Sequence, residues 1–123
     1  MTWLLVAEDA ADLRETLAEA LRGHGYEVRT AADGAQVVRL LDEAVEMPAV
    51  LLLDLIMPRV SGREVLQAMR GLGRARLVPV VVVTGVEMSD ADIAAFEVTE
   101  VLQKPVAVER LFAAIDRICA APQ

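Results

Sequence analysis

The sequence predicts an α/β domain, a doubly wound five-stranded parallel sheet with helices on both faces. Three observations predict it. Short apolar runs of strand length recur five times, and segments with apolar residues three or four apart alternate with them. The connections are short, so each strand–helix–strand unit closes as a right-handed crossover and builds a parallel sheet. The central run, residues 49–58 (AVLLLDLIMP), is apolar at every position but one, as suits a strand covered on both faces.

The first strand is the run Thr2-Trp3-Leu4-Leu5-Val6-Ala7, which stops at Glu8-Asp9. Leu13, Leu17 and Leu21, with Ala20 beside them, give the first helix its inner stripe, and Gly23-His24-Gly25 ends it. Residues 26–30 form a second strand with Val28 inward. Asp33-Gly34 opens a second helix whose apolar face is expected at Val37, Val38, Leu41 and Val45, closing before Pro48. The third strand, residues 49–54, is broken by Met57-Pro58, because proline has no N–H for a ladder and restricts the residue before it.

Ser61-Gly62-Arg63-Glu64 reads as a capping box, with Ser61 at the N-cap and Glu64 at the third helical position. It opens a helix through Leu66 and Met69 that Gly71 and Gly73 end. Residues 79–85 (PVVVVTG) supply the fourth strand, and a fourth helix starting at Ser89-Asp90 is expected to be short. Residues 98–103 make the fifth strand, ending at Lys104-Pro105. Val108, Leu111, Phe112, Ile115, Ile118 and Cys119 mark the inner face of the closing helix. No repeat, low-complexity segment or linker intervenes, so residues 1–123 read as one domain.

A chain of 123 residues can bury about two-thirds of its unfolded surface in one core. At 55% hydrophobic and 25% charged residues, whole-chain disorder is excluded. The net charge of −7 repels a nucleic-acid backbone or an anionic membrane, and 3% aromatics leave no stacking platform. Cys119 is the only cysteine, which rules out an internal disulfide or thiolate cage; on the inner stripe it is expected to be an inert thiol. Met1 leads into strand-like sequence without a basic leader, and no apolar stretch reaches the roughly 20 residues of a membrane helix. The expectation is a soluble cytoplasmic domain. His24 reads as a solvated turn residue, Trp3 as packing or an edge residue. Arg70, Arg74 and Arg76 read as a solvated helix end, with an acidic partner as the rarer alternative.

The carboxyl ends of parallel strands share one edge, where open α/β sheets bind their ligands. Four strands end in polar residues: Glu8-Asp9, Asp54, Thr84 and Lys104. Their convergence puts three carboxylates, a hydroxyl and an ammonium together. Three close carboxylates cannot all stay ionised without a counter-charge. Oxygen ligands without His or Cys select Mg²⁺, which binds through a few carboxylates plus phosphate. Lys104 and Thr84 would complement a small dianion near Asp54, and a carboxylate can itself attack phosphorus to form an acyl phosphate.

With these residues in place, the chain resembles a response-regulator receiver domain, the phosphoacceptor half of two-component signalling, along essentially its whole length. The motifs that carry the resemblance are Glu8-Asp9, Asp54-Leu55-Ile56-Met57-Pro58 with Gly62, Thr84-Gly85 and Lys104-Pro105, in the family's order. The resemblance implies a flavodoxin-like fold with Asp54 as the phosphorylated residue. Glu8 and Asp9 would hold Mg²⁺ with Asp54, helped by the backbone carbonyl of Ile56. Thr84 would bind the phosphoryl group and Lys104 would contact it. It further implies a cis Lys104-Pro105 peptide, a histidine kinase or phosphotransfer protein as donor, and an output protein or domain whose binding is switched. Such a protein catalyses only its own phosphorylation and slow dephosphorylation.

The chain departs from that pattern in places. Val101 stands where most relatives carry an aromatic that swings when the threonine moves. The stretch from Gly85 to Lys104 is short, and a Gly-Ala before the fifth strand is missing. The fourth-helix surface serves dimers or outputs in relatives, which leaves a homodimer open. Ile56 and Val86 are expected to flank the site with apolar bulk, obstruct an attacking water and prolong the phosphorylated state. A haloacid-dehalogenase-type phosphatase would need a second Asp where Ile56 stands, and a flavodoxin-like cofactor binder would not carry Glu8-Asp9 in its phosphate loop. An interaction module whose output ignores phosphorylation stays as the alternative. Whether the regulator stands alone or belongs to a longer protein is left open.

Overall fold

The computed structural model describes residues 2–57 and 59–120. The strand break expected at Pro58 and the tail at residues 121–123 lie outside the described residues. The elements are β1 (Trp3–Ala7), α1 (Ala11–Gly23), β2 (Glu27–Ala31), α2 (Gly34–Glu43), β3 (Val50–Leu53) and α3 (Gly62–Met69). A 3₁₀ turn at Gly73–Leu77 leads to β4 (Val80–Thr84), α4 (Asp90–Ala95), β5 (Glu100–Gln103) and α5 (Val108–Ala120). The five strands form one parallel sheet in the order β2-β1-β3-β4-β5, the doubly wound α/β architecture expected.

The strands alternate between two apolar layers, because successive side chains of a strand point to opposite faces. Trp3, Leu5, Leu51, Leu53, Val80 and Val82 face the layer completed by α2 and α3. Leu4, Val6, Val50, Leu52, Val81 and Val83 face the layer completed by α1 and α5. Both faces are covered, which is why β1, β3 and β4 read as continuous apolar runs. Register then fixes the site: Ala7 pairs with Leu53, so Glu8 and Asp54 leave the sheet side by side. Thr84 pairs with Gln103, which puts Lys104 one step past the same edge.

The capping box at α3 is present: Glu64 N–H donates to Ser61 Oγ (3.2 Å), and Ser61 N–H donates to Glu64 Oε1 (3.4 Å). Asp33 caps α2 by accepting from Gln36 N–H at 2.9 Å. The fourth helix is short, six residues, and none of them is fully buried. Lys104-Pro105 is cis, as the resemblance implied.

Several expectations need correction. Val45 is not on an inner face: α2 ends at Glu43, the chain turns toward Pro48, and Val45 is 92% exposed. Val108, the first residue of α5, is also exposed, at 39%. The second strand starts one residue later than expected, at Glu27. His24 is not merely solvated; its ring stacks on Phe112 at 4.0 Å and 5°, and its Nε2 lies 2.9 Å from Asp116 Oδ2. Trp3 is a packing residue, 2% exposed, with Nε1–H donating to Glu46 O and the Arg29 guanidinium 4.3 Å above its ring. Cys119 is half-buried against the α1–α5 layer, and burial raises its thiol pKa, in keeping with an inert thiol.

Candidate acidic site at the carboxyl edge of the sheet

The carboxyl edge of the sheet brings Glu8, Asp9 and Asp54 together. One oxygen of each lies within 4.8 Å of one from the other two. Glu8 and Asp54 are buried, whereas Asp9 is exposed at the rim. Lys104 reaches between the buried pair, with Nζ donating to Glu8 Oε1 at 2.8 Å and to Asp54 Oδ2 at 3.2 Å. The remaining carboxylate oxygens are held by backbone. Ala10 N–H donates to Glu8 Oε2 (3.2 Å), and Ile56 N–H donates to Asp54 Oδ1 (3.1 Å).

The electrostatics follow from burial with too few cations. Burial pushes the Glu8 carboxyl above its ordinary range, opposed by the hydrogen bonds from Lys104 and Ala10 and reinforced by the charge on Asp54. Burial works against the Lys104 ammonium, yet its bonds to Glu8 and Asp54 prevail and raise its pKa. The one ammonium bonds the two buried carboxylates, and among the described residues no ion pair reaches Asp9. The donor set is all oxygen, one wall of it open at Asp9, and this chemistry fits a hard divalent cation such as Mg²⁺.

Thr84 is fully buried at the end of β4. Its Oγ1 accepts from Val86 N–H at 3.3 Å, and among the described residues it makes no hydrogen bond to Asp54. Lys104 N–H donates to Thr84 O at 2.9 Å, tying the ends of β4 and β5 together. Ile56 and Val86 lie in the loops next to Asp54 and Thr84, both exposed. Val101 is half-buried on β5, opposite Val82, and packs against the α2–α3 layer. The structure thus assembles the acidic residues with Lys104 and leaves Thr84 bonded to its own loop.

Two supports were not read from the sequence. Arg14 donates from Nη1 to the carbonyl oxygens of Glu8 (2.9 Å) and Asp9 (3.3 Å), clamping the backbone of the acidic pair. The only signal was a charged residue between the leucines of α1. Gly62 was read as part of a motif without a reason, and the backbone supplies one. A Cβ there would stand 2.4 Å from Asp54 O and 2.5 Å from Leu55 Cα. Gly62 N–H donates to Leu55 O at 2.9 Å, so the start of α3 presses on the strand end that carries Asp54.

Residues 4–116 match the response regulator receiver domain family. The chain belongs to that family. It is a receiver domain of two-component signalling, a signalling switch. This receiver is 34% identical over 112 residues to the response regulator MprA of Mycobacterium tuberculosis, a match covering 89% of this chain and 47% of MprA. The chain thus spans about half the length of the curated relatives it matches. Among solved structures it is similar to the chemotaxis response regulator CheY4 of Vibrio cholerae, with TM-score 0.86, 29% identity, and coverage of 96% of this chain and 98% of that one. The response regulator TrrA of Thermotoga maritima, solved in complex with Mg²⁺-BeF, shares the fold at TM-score 0.82 and 24% identity, covering 96% of this chain and 99% of that one. Among the described residues no helix is long and apolar enough to cross a membrane.

Proposed function

We propose that this receiver accepts a phosphoryl group on Asp54 from the phosphohistidine of a histidine kinase or phosphotransfer protein, in an Mg²⁺-dependent step, and thereby switches the binding of an output partner. The observation that carries this reading is the placement of Asp54 between two further carboxylates and the Lys104 ammonium at one sheet edge. An Asp54 carboxylate oxygen attacks phosphorus in line. The O–P bond forms as the P–N bond breaks, and the electron pair stays with the imidazole nitrogen. Glu8, Asp9 and Asp54 would hold Mg²⁺ together with the Ile56 carbonyl; when bound, the ion supplies positive charge to the phosphoryl oxygens. Lys104, already at Asp54 Oδ2, offers a second positive charge to the same group. The Thr84 hydroxyl accepts from Val86 N–H and keeps its own hydrogen to donate to a new anion. The output is binding, so the domain acts as a switch, and its site turns over only its own phosphoryl group.

The test is incubation with Mg²⁺ and acetyl phosphate, followed by intact-mass measurement. Uptake of one phosphoryl group that vanishes with EDTA and in Asp54→Asn supports the reading. No uptake from acetyl phosphate or from a cognate kinase overturns it.

One feature favours a second reading, an interaction module whose output ignores phosphorylation. Val101 has no ring to swing, and α4 buries no residue fully, so coupling from Thr84 to that surface lacks its usual part. Hydrogen exchange with and without Mg²⁺ and beryllofluoride separates the two. Altered protection at α4 and β5 supports the switch, and unchanged protection in a beryllofluoride-loaded protein supports the module.

A further inference from the structure

The amino edge of the sheet, opposite the acidic site, holds a feature that the phosphoryl chemistry does not use. Three arginines crowd into seven residues, Arg70, Arg74 and Arg76, in a chain of net charge −7. Arg70 donates to the carbonyl oxygen of Ala95. Arg74 donates to those of Val45 (2.7 Å) and Ala44 (2.9 Å). Each of these acceptors is a neutral carbonyl. Among the described residues none of the three forms an ion pair; Arg14, Arg22, Arg29, Arg39 and Arg110 form none either, but only these three are gathered within seven residues. Three guanidinium groups are thus gathered without a direct salt bridge.

Between them the surface is apolar and concave. Leu77 is 83% exposed and stands on the ridge shared by two hollows of about 260 and 340 Å³. The first hollow is floored by Leu66, Met69 and Phe96 and bounded by Arg70 and Arg76; Arg74 lines the second. Against these three cations the hollows present two carboxylates, Glu46 and Glu97, so the local charge is opposite in sign to the chain's. An exposed leucine beside a lined hollow is the anchor-and-pocket arrangement of protein interfaces, and arginine is enriched there.

We propose that this groove docks an acidic segment of a partner protein that carries bulky apolar side chains, seating them beside Leu77 while its carboxylates meet Arg70, Arg74 and Arg76. Charge complementarity selects the occupant. A long polyanion or an anionic membrane would meet the repulsion of the whole −7 chain, whereas a short acidic segment meets chiefly the local field. The groove lies before β4 and β5, at the far end of the sheet from Asp54, so an occupant leaves the phosphoryl site open.

The test is titration of the ¹⁵N-labelled domain with a synthetic peptide in which Leu and Phe repeat at helical spacing among Glu residues. Two control peptides replace either the apolar residues by Ser or the Glu residues by Gln. The expected result is saturable shifts confined to residues 66–80 and 96–99, weakened by salt and by both controls. Arg76→Glu and Leu77→Ser, both at exposed positions, should each lower affinity about tenfold or more. Their uptake of phosphoryl from acetyl phosphate, unchanged, would show that they fold. Equal binding by the Ser control, shifts centred elsewhere, or indifference to both substitutions would overturn the proposal. So would self-association of the domain that Leu77→Ser abolishes, since the groove would then be filled by a second copy.

Discussion

Lys104 Nζ lies 2.8 Å from Glu8 Oε1, closer than the 3.2 Å that separates it from Asp54 Oδ2. The ammonium is thus shared between the two buried carboxylates and leans toward Glu8, the one belonging to the acidic pair. Both partners are mostly shielded from water, so this bond is more than a surface ion pair.

Removing that cation isolates two buried negative charges. Lys104→Met is expected to destabilise the domain in EDTA by about 1–3 kcal/mol, the usual cost of stranding a buried charged group. Glu8→Gln should partly restore stability in that background, because it removes one of the repelling charges. Urea unfolding of the single and double variants in EDTA measures both effects. Adding Mg²⁺ should recover Lys104→Met more than wild type, since a second cation then replaces the first.

The sheet and this cluster were legible in the sequence for one physical reason. Strands buried on both faces rarely hold a charge, so Glu8 and Asp54 announce the ends of β1 and β3; Thr84 closes β4 as its one polar residue, Lys104 follows the edge strand β5, and parallel topology puts the ends together. What was hidden depends on backbone atoms or on single side-chain reaches. Nothing in the composition of α1 distinguishes Arg14 from a solvated charge, since its target is a pair of carbonyls set by the β1–α1 turn. Val45 continued the apolar spacing of α2, but spacing does not reveal that the helix has already ended. His24 gave no sign of Asp116, 92 residues away.

The carbonyl clamp leads to a prediction about metal affinity. Arg14→Ala frees the backbone of Glu8 and Asp9, whose side chains must then be ordered when a cation binds. The Mg²⁺ concentration needed for half-maximal phosphorylation by acetyl phosphate should rise about tenfold, the usual effect of losing a group that orients metal ligands. The rate at saturating Mg²⁺ should change far less. A fall at saturating Mg²⁺ without a shift in the midpoint would assign Arg14 another role.

Gly62 carries a steric prediction. A methyl there would meet Asp54 O and Leu55 Cα at 2.4 and 2.5 Å, and both are backbone atoms that cannot rotate away. Gly62→Ala should cost about 1–3 kcal/mol, as overpacking of a close contact does. It should also slow phosphorylation, because the strand end that carries Asp54 must move. Chemical denaturation and acetyl phosphate kinetics on the same variant test the two together.

At the opposite edge, Asp116 accepts from Tyr26 O–H at 2.6 Å and lies 2.9 Å from His24 Nε2. The bond from Tyr26 and then that from His24 hold the Asp116 carboxyl below its ordinary value of 3.8. Its contribution to stability is therefore complete above that value and is lost as pH falls through the lower folded value. Burial and the bond to Asp116 raise Tyr26, so its contribution is complete below pH 10 and is lost only as pH rises beyond that. Tyr26→Phe should raise the acid-unfolding midpoint and flatten the alkaline loss of stability, both followed by circular dichroism across a pH series.

The lifetime of the phosphorylated state depends on how water reaches phosphorus. Ile56 and Val86 rise from the loops after Asp54 and Thr84, 61% and 41% exposed, so each side chain stands beside the site rather than in the core. Their apolar bulk is expected to leave an attacking water without a hydrogen-bond partner and to narrow its approach. Ile56→Asn, at an exposed position, should leave folding intact and supply a polar group that can hold such a water. The acyl phosphate should then decay several-fold faster, and Val86→Ala should add to the effect by opening the second flank. The measurement is loss of the phosphorylated mass after removal of acetyl phosphate. Unchanged half-lives in both variants would mean that water arrives along another path and that these side chains serve recognition instead.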